Sequence, residues 1–447
     1  MSKKIWSMTT LLLIIIMSNT IDNIKNVEAG NIMLDISKVE FKLDKNTTEK
    51  EIKNFFPELN NQKINIEMLS KKIQYLNENS NIKIEAEFQP QENNSYKVTV
   101  IAKKEVSDKF YIGLSNTGNV NTGRWKTAFN YYNKNITNNA DSLSLSFITS
   151  PHNIENVYQI YSGYNHFFPS LGDNLNLYYS YSNSTLGTVA TIGNIDIFAH
   201  GSAENMGVHY YRNLKYSSTK KTIFDIGFDY KHYKGGHEFN YGGKTWVFNN
   251  YDIINKSASI TYSNFIRNKV YDFKYSISYL RGLGGDEDAF NNYRTNAEIN
   301  YNIIQYNLNY VHRFNTGYML LAKFNGQFTR DNLITVEQLG AGGNSTVCGY
   351  KEGSANGDYG YIGNFELYTP EILKDQRIVL FTDYASLFNN TYNIGERNKR
   401  LWSVGIGYRM WQKNGWEISI NYAKNLCNIG VSESSIQPWN INITKFF

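Results

Sequence analysis

Residues 402–410 read Trp402-Ser403-Val404-Gly405-Ile406-Gly407-Tyr408-Arg409-Met410, so that apolar or aromatic side chains alternate with small or polar ones. The next segment, from Trp416 to Tyr422, repeats this pattern. Successive side chains of a β-strand point to opposite faces. Each segment therefore predicts a strand that has one apolar face and one polar face.

Alternating segments recur from Lys109 to the end of the chain with no convincing helix among them, and we count sixteen. An even number of antiparallel strands is typical of a single-chain bacterial outer-membrane barrel, because both chain ends then lie on one side of the membrane. The segments predict a mainly β fold, a 16-stranded transmembrane antiparallel β-barrel over residues 107–447. The predicted strands span 109–116, 123–134, 141–149, 155–167, 173–183, 203–213, 220–234, 256–265, 268–281, 299–312, 317–329, 361–369, 376–388, 400–411, 415–425 and 438–447.

The composition favours a membrane barrel over other classes of protein. The chain has 447 residues, 35 of them Tyr, yet its mean hydropathy is negative, −0.47. Helical membrane proteins need ~20 consecutive apolar residues for each span, and only the N-terminus approaches this. The alternative is a soluble β-sandwich, but sixteen strands are many for a sandwich, and the face that would meet water is unusually uncharged. A barrel wall instead alternates lipid-facing and lumen-facing residues and carries aromatic girdles.

The N-terminal residues 1–29 predict a secretory signal peptide. Lys3 and Lys4 form a charged start, the apolar run Ile5–Met17 follows, and Ser18 or Ala29 could precede the cleavage site. The alternative is a membrane anchor helix, for which the apolar run is short. A signal peptide implies that the mature protein acts in the cell envelope.

Residues 31–106 predict a small α+β domain in the order β-α-α-β-β. Thr48 and Glu51 have capping-box spacing at the start of the first helix, and residues 66–76 carry one apolar helical face. Two alternating strands close the unit and make a three-stranded sheet with an open edge. We expect the edge strand to be 82–88, whose inward-facing residues are Ile82, Ile84, Ala86 and Phe88.

The long connection Arg330–Gly360 contains Val347-Cys348-Gly349-Tyr350-Lys351-Glu352 and then Gly357-Asp358-Tyr359-Gly360. It resembles the sixth loop of two-partner secretion transporters (TpsB type), the hemolysin secretion/activation family, which carries a Val-Arg-Gly-Tyr/Phe tetrad. Residues 31–106 are similar to that family's polypeptide-transport-associated (POTRA) domain. Phe381-Thr382-Asp383 resembles its Phe-x-Asp motif, whose carboxylate pairs with the loop arginine in the family.

The sequence departs from the family pattern at position 348, which is Cys instead of Arg. Asp383 therefore lacks its expected partner, pairs with another residue such as Lys351, or faces water in the lumen. The chain also has room for one POTRA domain, whereas such transporters typically carry two and a plug helix. Cys348 should lie in the lumen and Cys427 at the outer end of a strand, so a bridge, which needs Cα atoms within ~7 Å, is not expected.

The resemblance implies an outer-membrane transporter that secretes a hemolysin- or adhesin-like partner polypeptide, with its POTRA domain in the periplasm. An edge strand can bind unfolded chains by strand addition, which assigns substrate binding to Ile82–Phe88. The loop residues Val347–Tyr350 would occupy the pore, and Phe381 and Asp383 would anchor them to the wall. Phe447, a terminal aromatic residue, resembles the sorting signal that the barrel-insertion machinery reads, and outer-membrane lipid would surround the barrel.

Two alternative functions remain open on the sequence alone. A passive porin would lack the domain at 31–106, and a barrel-insertion factor usually has several POTRA domains. The net charge of +5 without a dense Lys/Arg tract gives no indication of nucleic-acid binding. His residues do not occur at metal-ligand spacing with Cys, Asp or Glu, and neither a P-loop nor a nucleophile elbow is present. We therefore expect no metal, no cofactor and no enzymatic activity.

Overall fold

The fold is given by a computed structural model that describes residues 32–447, apart from 92–93, 119–122, 193–194, 242–243, 392–397 and 414. The expected signal peptide, residues 1–29, lies outside the described residues. Residues 33–104 form a small α+β domain, and residues 108–446 form a closed β-barrel with its connections.

The small domain has two helices and a four-stranded sheet. Its elements are β1 (Met33–Leu43), α1 (Glu49–Phe55), a 3-10 turn (Pro57–Asn60), β2 (Lys63–Asn65), α2 (Ile66–Asn79), β3 (Ile82–Pro90) and β4 (Ser95–Lys104). The strand order is β2-β1-β4-β3, with β1 parallel to β4. The sequence predicts three strands, and the structure adds β2, which is too short to show alternation. The strand expected at the edge, β3, does lie at the edge of the sheet.

Both helices of the small domain begin where the sequence supplies a capping side chain. Thr48 Oγ1 accepts the backbone N–H of Glu51 at 3.2 Å, and Asn65 Oδ1 accepts that of Met68 at 3.0 Å. Burying one large apolar side chain contributes about 1.5–3 kcal/mol, so the core below the helices stabilises the unit. The buried apolar side chains include Ile52, Phe55, Phe56, Leu69, Leu76, Ile82, Ile84, Val98 and Val100.

The rest of the chain forms the barrel and its connections, with one short helix, α3 (Glu287–Tyr293). The strands are β5 (Asp108–Ser115), β6 (Lys126–Asn133), β7 (Asp141–Thr149), β8 (Val157–Phe168), β9 (Asp173–Ile192), β10 (Ile195–Tyr216), β11 (Lys220–Tyr241), β12 (Lys244–Arg267), β13 (Tyr271–Gly282), β14 (Asn302–Arg313), β15 (Met319–Phe328), β16 (Leu339–Ala341), β17 (Gly349–Tyr350), β18 (Ala355–Gly357), β19 (Tyr359–Tyr368), β20 (Gln376–Phe388), β21 (Asn398–Trp411), β22 (Trp416–Ile429), β23 (Ile436–Gln437) and β24 (Trp439–Phe446). All of them belong to the barrel except β16, β17, β18 and β23.

The closed barrel has sixteen strands, as predicted, and β24 pairs with β5 to complete it. The largest differences in length from the predicted spans are in β9 to β12, which run for 20, 22, 22 and 24 residues. Their outer halves pair only with one another, since β8 pairs with β9 no further than Ser184 and β13 pairs with β12 from Ser257 onward. The helix α3 was not predicted either. It begins after Asp286, which caps it by accepting the N–H of Ala289 at 3.1 Å.

Exposure alternates along the barrel strands in the opposite sense to that of a water-soluble protein. Ile406 and Leu380 are 49% and 53% exposed, whereas Ser403 is fully buried and Arg409 is 9% exposed. Polar side chains therefore point into the barrel and apolar ones point outward, as a wall between lipid and a polar lumen requires. Other outward apolar residues are Leu145, Leu177, Phe228, Ile260, Ile304 and Phe365. Within the described residues, no helix has the length and apolar character needed to cross a bilayer.

The small domain lies against one end of the barrel, which we call the near mouth; the opposite end is the far mouth. Helix α2 makes the contact through Tyr75, whose ring stacks on Phe167 at 4.2 Å between centroids. The Lys71 ammonium donates to the carbonyl of Asn213 at 2.8 Å. Glu78 forms an ion pair with Lys221 of β11. The near mouth is therefore covered in part by α2.

Candidate functional site

The connection between β15 and β19, residues 329–358, folds back into the barrel, and we call it the lumen loop. Its strands β16 and β18 pair as an antiparallel ribbon, and the segment between them carries the Val-Cys-Gly-Tyr tetrad. Val347 and Tyr350 are fully buried, and Cys348 is 5% exposed. All four residues of the tetrad lie against the inner face of the wall strands β19 to β22.

Asp383, on β20, holds the lumen loop through amide groups. Its two carboxylate oxygens accept the backbone N–H of Cys348 at 3.0 Å and the Asn364 side-chain amide at 2.8 Å. The same Asn364 amide also donates to the carbonyl of Thr346 in the loop. Among the described contacts, Asp383 bonds to these amides and not to Lys351, one of the expected alternatives. A family pattern of side chains cannot predict this bond, because a backbone N–H can come from any residue.

The thiol of Cys348 fills a small site on the wall. It packs against Phe381 and Ala423. Its sulfur lies 3.5 Å from Asn344 Oδ1 and accepts the side-chain amide of Asn421 at 3.6 Å. Phe381 and Asp383 thus both contact the tetrad residue that differs from the family pattern. Cys348 and Cys427 are free thiols, and the sequence analysis did not expect a bridge between them.

The second half of the tetrad is held as a short strand. Gly349 and Tyr350 form β17, which pairs with β23 in the connection before the last barrel strand. Gly349 has a φ of 90°, and a Cβ there would collide with the side-chain oxygen of Asn425, so glycine is required. The Tyr350 hydroxyl lies 2.5 Å from the carbonyl oxygen of Cys427. The two-residue partner β23 was missed because alternation cannot show so short a strand.

The base of the lumen loop is fixed by Asp358, which is fully buried. Its carboxylate accepts both Nη atoms of Arg294, at 2.5 and 2.9 Å. It also accepts the backbone N–H of Leu333 at 3.1 Å and that of Asn390 at 2.9 Å. A bidentate arginine–carboxylate pair is directional and strong. The arginine comes from the connection after α3, far away in sequence, and the motif around Asp358 alone did not reveal it.

A charged cluster lines the lumen on β10 and β11. His209 Nδ1 lies 3.1 Å from Asp225, and its Nε2 lies 3.2 Å from Asp229. The hydroxyl of Tyr178 donates to Asp229 at 2.5 Å. The register pairs His209 with Gly227, whose missing side chain leaves room for the imidazole ring. The sequence did not reveal this cluster around His209, because the cross-strand register is not visible in one strand.

The remaining predicted site residues lie away from the lumen loop. Ile82 and Ile84 of β3 are buried in the core of the small domain, and Ala86 and Phe88 are half-buried. Phe447 follows β24, is 69% exposed, and donates its backbone N–H to Phe110 at 3.0 Å. The structure thus brings the tetrad together with Phe381 and Asp383, and leaves the β3 edge and Phe447 as separate regions.

Comparison with known proteins places these features in context. Residues 95–410 match the family model described as haemolysin secretion/activation protein ShlB/FhaC/HecB. The chain is similar in structure to CdiB from Escherichia coli, with a TM-score of 0.78 at 15% identity over 93% of this chain and 77% of that one. CdiB from Acinetobacter baumannii gives a TM-score of 0.75 at 15% identity, over 93% and 74% of the two chains.

A more distant likeness is to BamA from Haemophilus ducreyi lacking POTRA domains 1–3, with a TM-score of 0.56 at 13% identity over 93% of this chain and 85% of that chain. At these identities the solved structures show a shared fold. A search of curated proteins found no match to the sequence.

Proposed function

This chain belongs to the haemolysin secretion/activation family of outer-membrane secretion transporters, and we propose that it exports a hemolysin- or adhesin-like partner polypeptide through its lumen. In this proposal the small domain is a POTRA domain that binds the unfolded substrate, and the barrel is the pore. The observation that carries the proposal is the lumen loop, which lies inside the barrel against β19 to β22 and is not fixed there by a disulfide, since both cysteines are free.

We further propose that the near mouth faces the periplasm and the far mouth faces the outside. Outer-membrane barrels have short periplasmic turns and longer extracellular connections. The near-mouth turns 217–219 and 268–270 are short, whereas the far-mouth connections 283–301 and 329–358 are long. The small domain and both ends of the barrel sequence lie at the near mouth, where Phe447 bonds to Phe110. In this proposed orientation the small domain would lie in the periplasm, where it could meet the substrate.

The contacts of the lumen loop suggest how substrate would pass. The loop is held by hydrogen bonds of Asp383, Tyr350 and Asp358, each worth about 0.5–3 kcal/mol net. Its tip, 342–354, can leave the wall while the base at Asp358 stays fixed by Arg294. The exposed path would be polar, since Asn364, Ser403 and Asn421 line it. No ATP is available in the periplasm, so folding of the exported chain outside, worth about 5–15 kcal/mol for a domain, would make return unfavourable.

Deletion of the locus tests this proposal. We expect at least one large polypeptide to disappear from the cell surface or the culture supernatant, and to return when the wild-type chain is supplied from a plasmid. The matched control is a plasmid that encodes the chain without residues 342–354 of the lumen loop. If every secreted and surface polypeptide is unchanged while solute uptake falls, the export proposal is wrong and a passive porin is the better account.

The two alternative functions predict different outcomes of the same experiment. A porin needs an open lumen, whereas here the lumen loop lies inside the barrel and helix α2 covers part of the near mouth. A barrel-insertion factor would be revealed by loss of many outer-membrane barrels at once. Loss of one secreted polypeptide, with the other outer-membrane proteins at normal levels, is the result that we expect.

A further inference from the structure

At its open edge, the small domain has a short stretch of backbone that could pair with an added strand. We call this stretch the binding window, and pairing is blocked at both of its ends. Among the described strands, β3 pairs only with β4, so one side of β3 faces no other strand. In an antiparallel pair, the backbone groups of alternate residues point away from the partner strand. Ile84 is one of these residues, because both its N–H and its C=O bond to a side chain outside the sheet.

That side chain is Asn77, near the end of α2. Its Oδ1 accepts the N–H of Ile84 at 2.7 Å, and its Nδ2 donates to the C=O of Ile84 at 2.9 Å. A carboxamide has the same donor and acceptor as a peptide group, so Asn77 takes the place that an added strand would occupy. The Asn77 carbonyl accepts the Lys83 ammonium, which fixes the turn of helix beside the edge.

The other end of the window is Pro90. Ala86, Phe88 and Pro90 follow Ile84 at alternate positions, so their backbones also point to the open edge. Pro90 has no N–H and cannot donate to an added strand. Only Ala86 and Phe88 then offer both a donor and an acceptor. The window therefore supports about four backbone hydrogen bonds to an incoming chain.

The position of Asn77 also gives the window a direction. The neighbouring residues Glu78 and Asn79 bond to Lys221 and Tyr216 at the near mouth of the barrel. Asn81, just before β3, accepts the side-chain amide of Asn135 of the barrel at 2.8 Å. The end of β3 that Asn77 closes is thus the end next to the barrel, and the window lies at the distal end.

We propose that Asn77 is a positioning residue that stops substrate pairing at Ala86, so that an unfolded chain binds the distal end of β3 by a short, reversible strand addition. The carboxamide prevents the bound chain from extending its pairing toward the crevice between the small domain and the barrel. This inference rests on the proposed function, because it takes the ligand to be an extended polypeptide. Strand addition through the backbone tolerates many sequences, and a generic unfolded chain can therefore serve as the probe.

Amide hydrogen exchange of the full chain in detergent, with and without β-casein as the unfolded probe, tests the proposal. In the wild type we expect the Ile84 amide to be protected without probe, and the Ala86 and Phe88 amides to become protected only when probe is added. In Asn77→Ala, Ile84 should exchange at least tenfold faster without probe and regain protection with it. Probe binding should then be about tenfold tighter, as one or two added hydrogen bonds imply.

Two further variants keep the result interpretable. Asn77→Asp retains the acceptor for the Ile84 N–H but loses the donor, so it should show intermediate behaviour. Ser70→Ala, at an exposed position of the same helix, should behave as the wild type. If β-casein protects the same amides in Asn77→Ala as in the wild type, or protects none in β3, the proposal is overturned. Failure of the export proposal is separate, because it would appear as an unchanged set of secreted proteins.

Discussion

Asp383 is a buried carboxylate that is satisfied by amide donors. Its partners are the backbone of Cys348 and the side chain of Asn364, which faces it in the register of β19 and β20. The tetrad and Asp383 could be singled out from the sequence because they match a family pattern. Their actual bond could not, since it uses a main-chain group that leaves no trace in the residue type.

Replacing Asp383→Asn should loosen the lumen loop. An amide side chain offers only one acceptor oxygen, so either the Cys348 N–H or one of the two hydrogens of the Asn364 amide would face an NH2 group and lose its acceptor. A buried donor left unpaired costs about 1–3 kcal/mol, which is roughly a fivefold to 150-fold increase in loop opening. We expect more frequent current fluctuations in planar bilayers. The exposed Asp288→Asn is the control, and equal fluctuation in both variants would contradict the role assigned to Asp383.

Replacing Cys348→Arg should have the opposite effect. A guanidinium at this position can form a bidentate pair with Asp383, which is stronger than the single N–H bond that now exists. We expect fewer openings than in the wild type, whereas Cys348→Ser, which keeps the size of the side chain, should change little. Bilayer recordings that show the same fluctuations in Cys348→Arg and Cys348→Ser would refute the pairing argument.

Helix α2 connects the small domain to the barrel at the scale of secondary-structure elements. It carries Tyr75, which stacks on Phe167, and Glu78, which pairs with Lys221. The helix α2 was predicted from its stripe of apolar residues at helical spacing, and this stripe faces the core of the small domain. The docking residues lie on the other side and look like an ordinary solvated surface. For this reason the contact with the barrel could not be predicted.

Exchanging the charges of Glu78 and Lys221 tests the contact between helix α2 and the barrel. Lys221→Glu should repel Glu78 and release α2 from the near mouth, whereas the double variant Glu78→Lys with Lys221→Glu should restore the pair. Release should raise hydrogen exchange in the turn 217–219 several-fold. If the double variant exchanges as fast as Lys221→Glu alone, the ion pair does not hold the helix in place.

The same contact should weaken in acid. Burial works to raise the pKa of Glu78, but hydrogen bonds from Lys221, Tyr216 and Gln74 outweigh it and leave the pKa below its ordinary value. Docking therefore favours the ionised carboxylate. The contact of α2 with the barrel is at full strength above the ordinary glutamate pKa of about 4.3. It is lost as pH falls through the lower pKa that Glu78 has in the docked state. Relative to the intrinsic amide exchange rate at each pH, exchange in 217–219 should rise as pH falls below the ordinary glutamate pKa in the wild type, and Glu78→Gln should show no such step.

At the scale of the whole molecule, the barrel strands could be predicted from the sequence, whereas the strand extensions and the path of the lumen loop could not. All sixteen strands were predicted because each must present an apolar side to lipid and a polar side to the lumen. The outer halves of β9 to β12 were not predicted. They extend beyond the residues that pair with β8 and β13, so they need no lipid-facing side. The path of the lumen loop depends on contacts with Arg294 and β23 that are distant in sequence, and only the structure reveals them.

If a polypeptide passes through the lumen past the moving loop, a reversible disulfide between the loop and the wall should stop its export. The Asn421 amide lies 3.6 Å from the Cys348 sulfur, so Asn421→Cys places a second thiol against the native one. In cells, we expect export of the partner identified by the deletion experiment to stop when the bridge forms and to resume with reductant. Asn421→Cys in a Cys348→Ser background should export under both conditions. Undiminished export while the bridge is intact would contradict passage through this lumen.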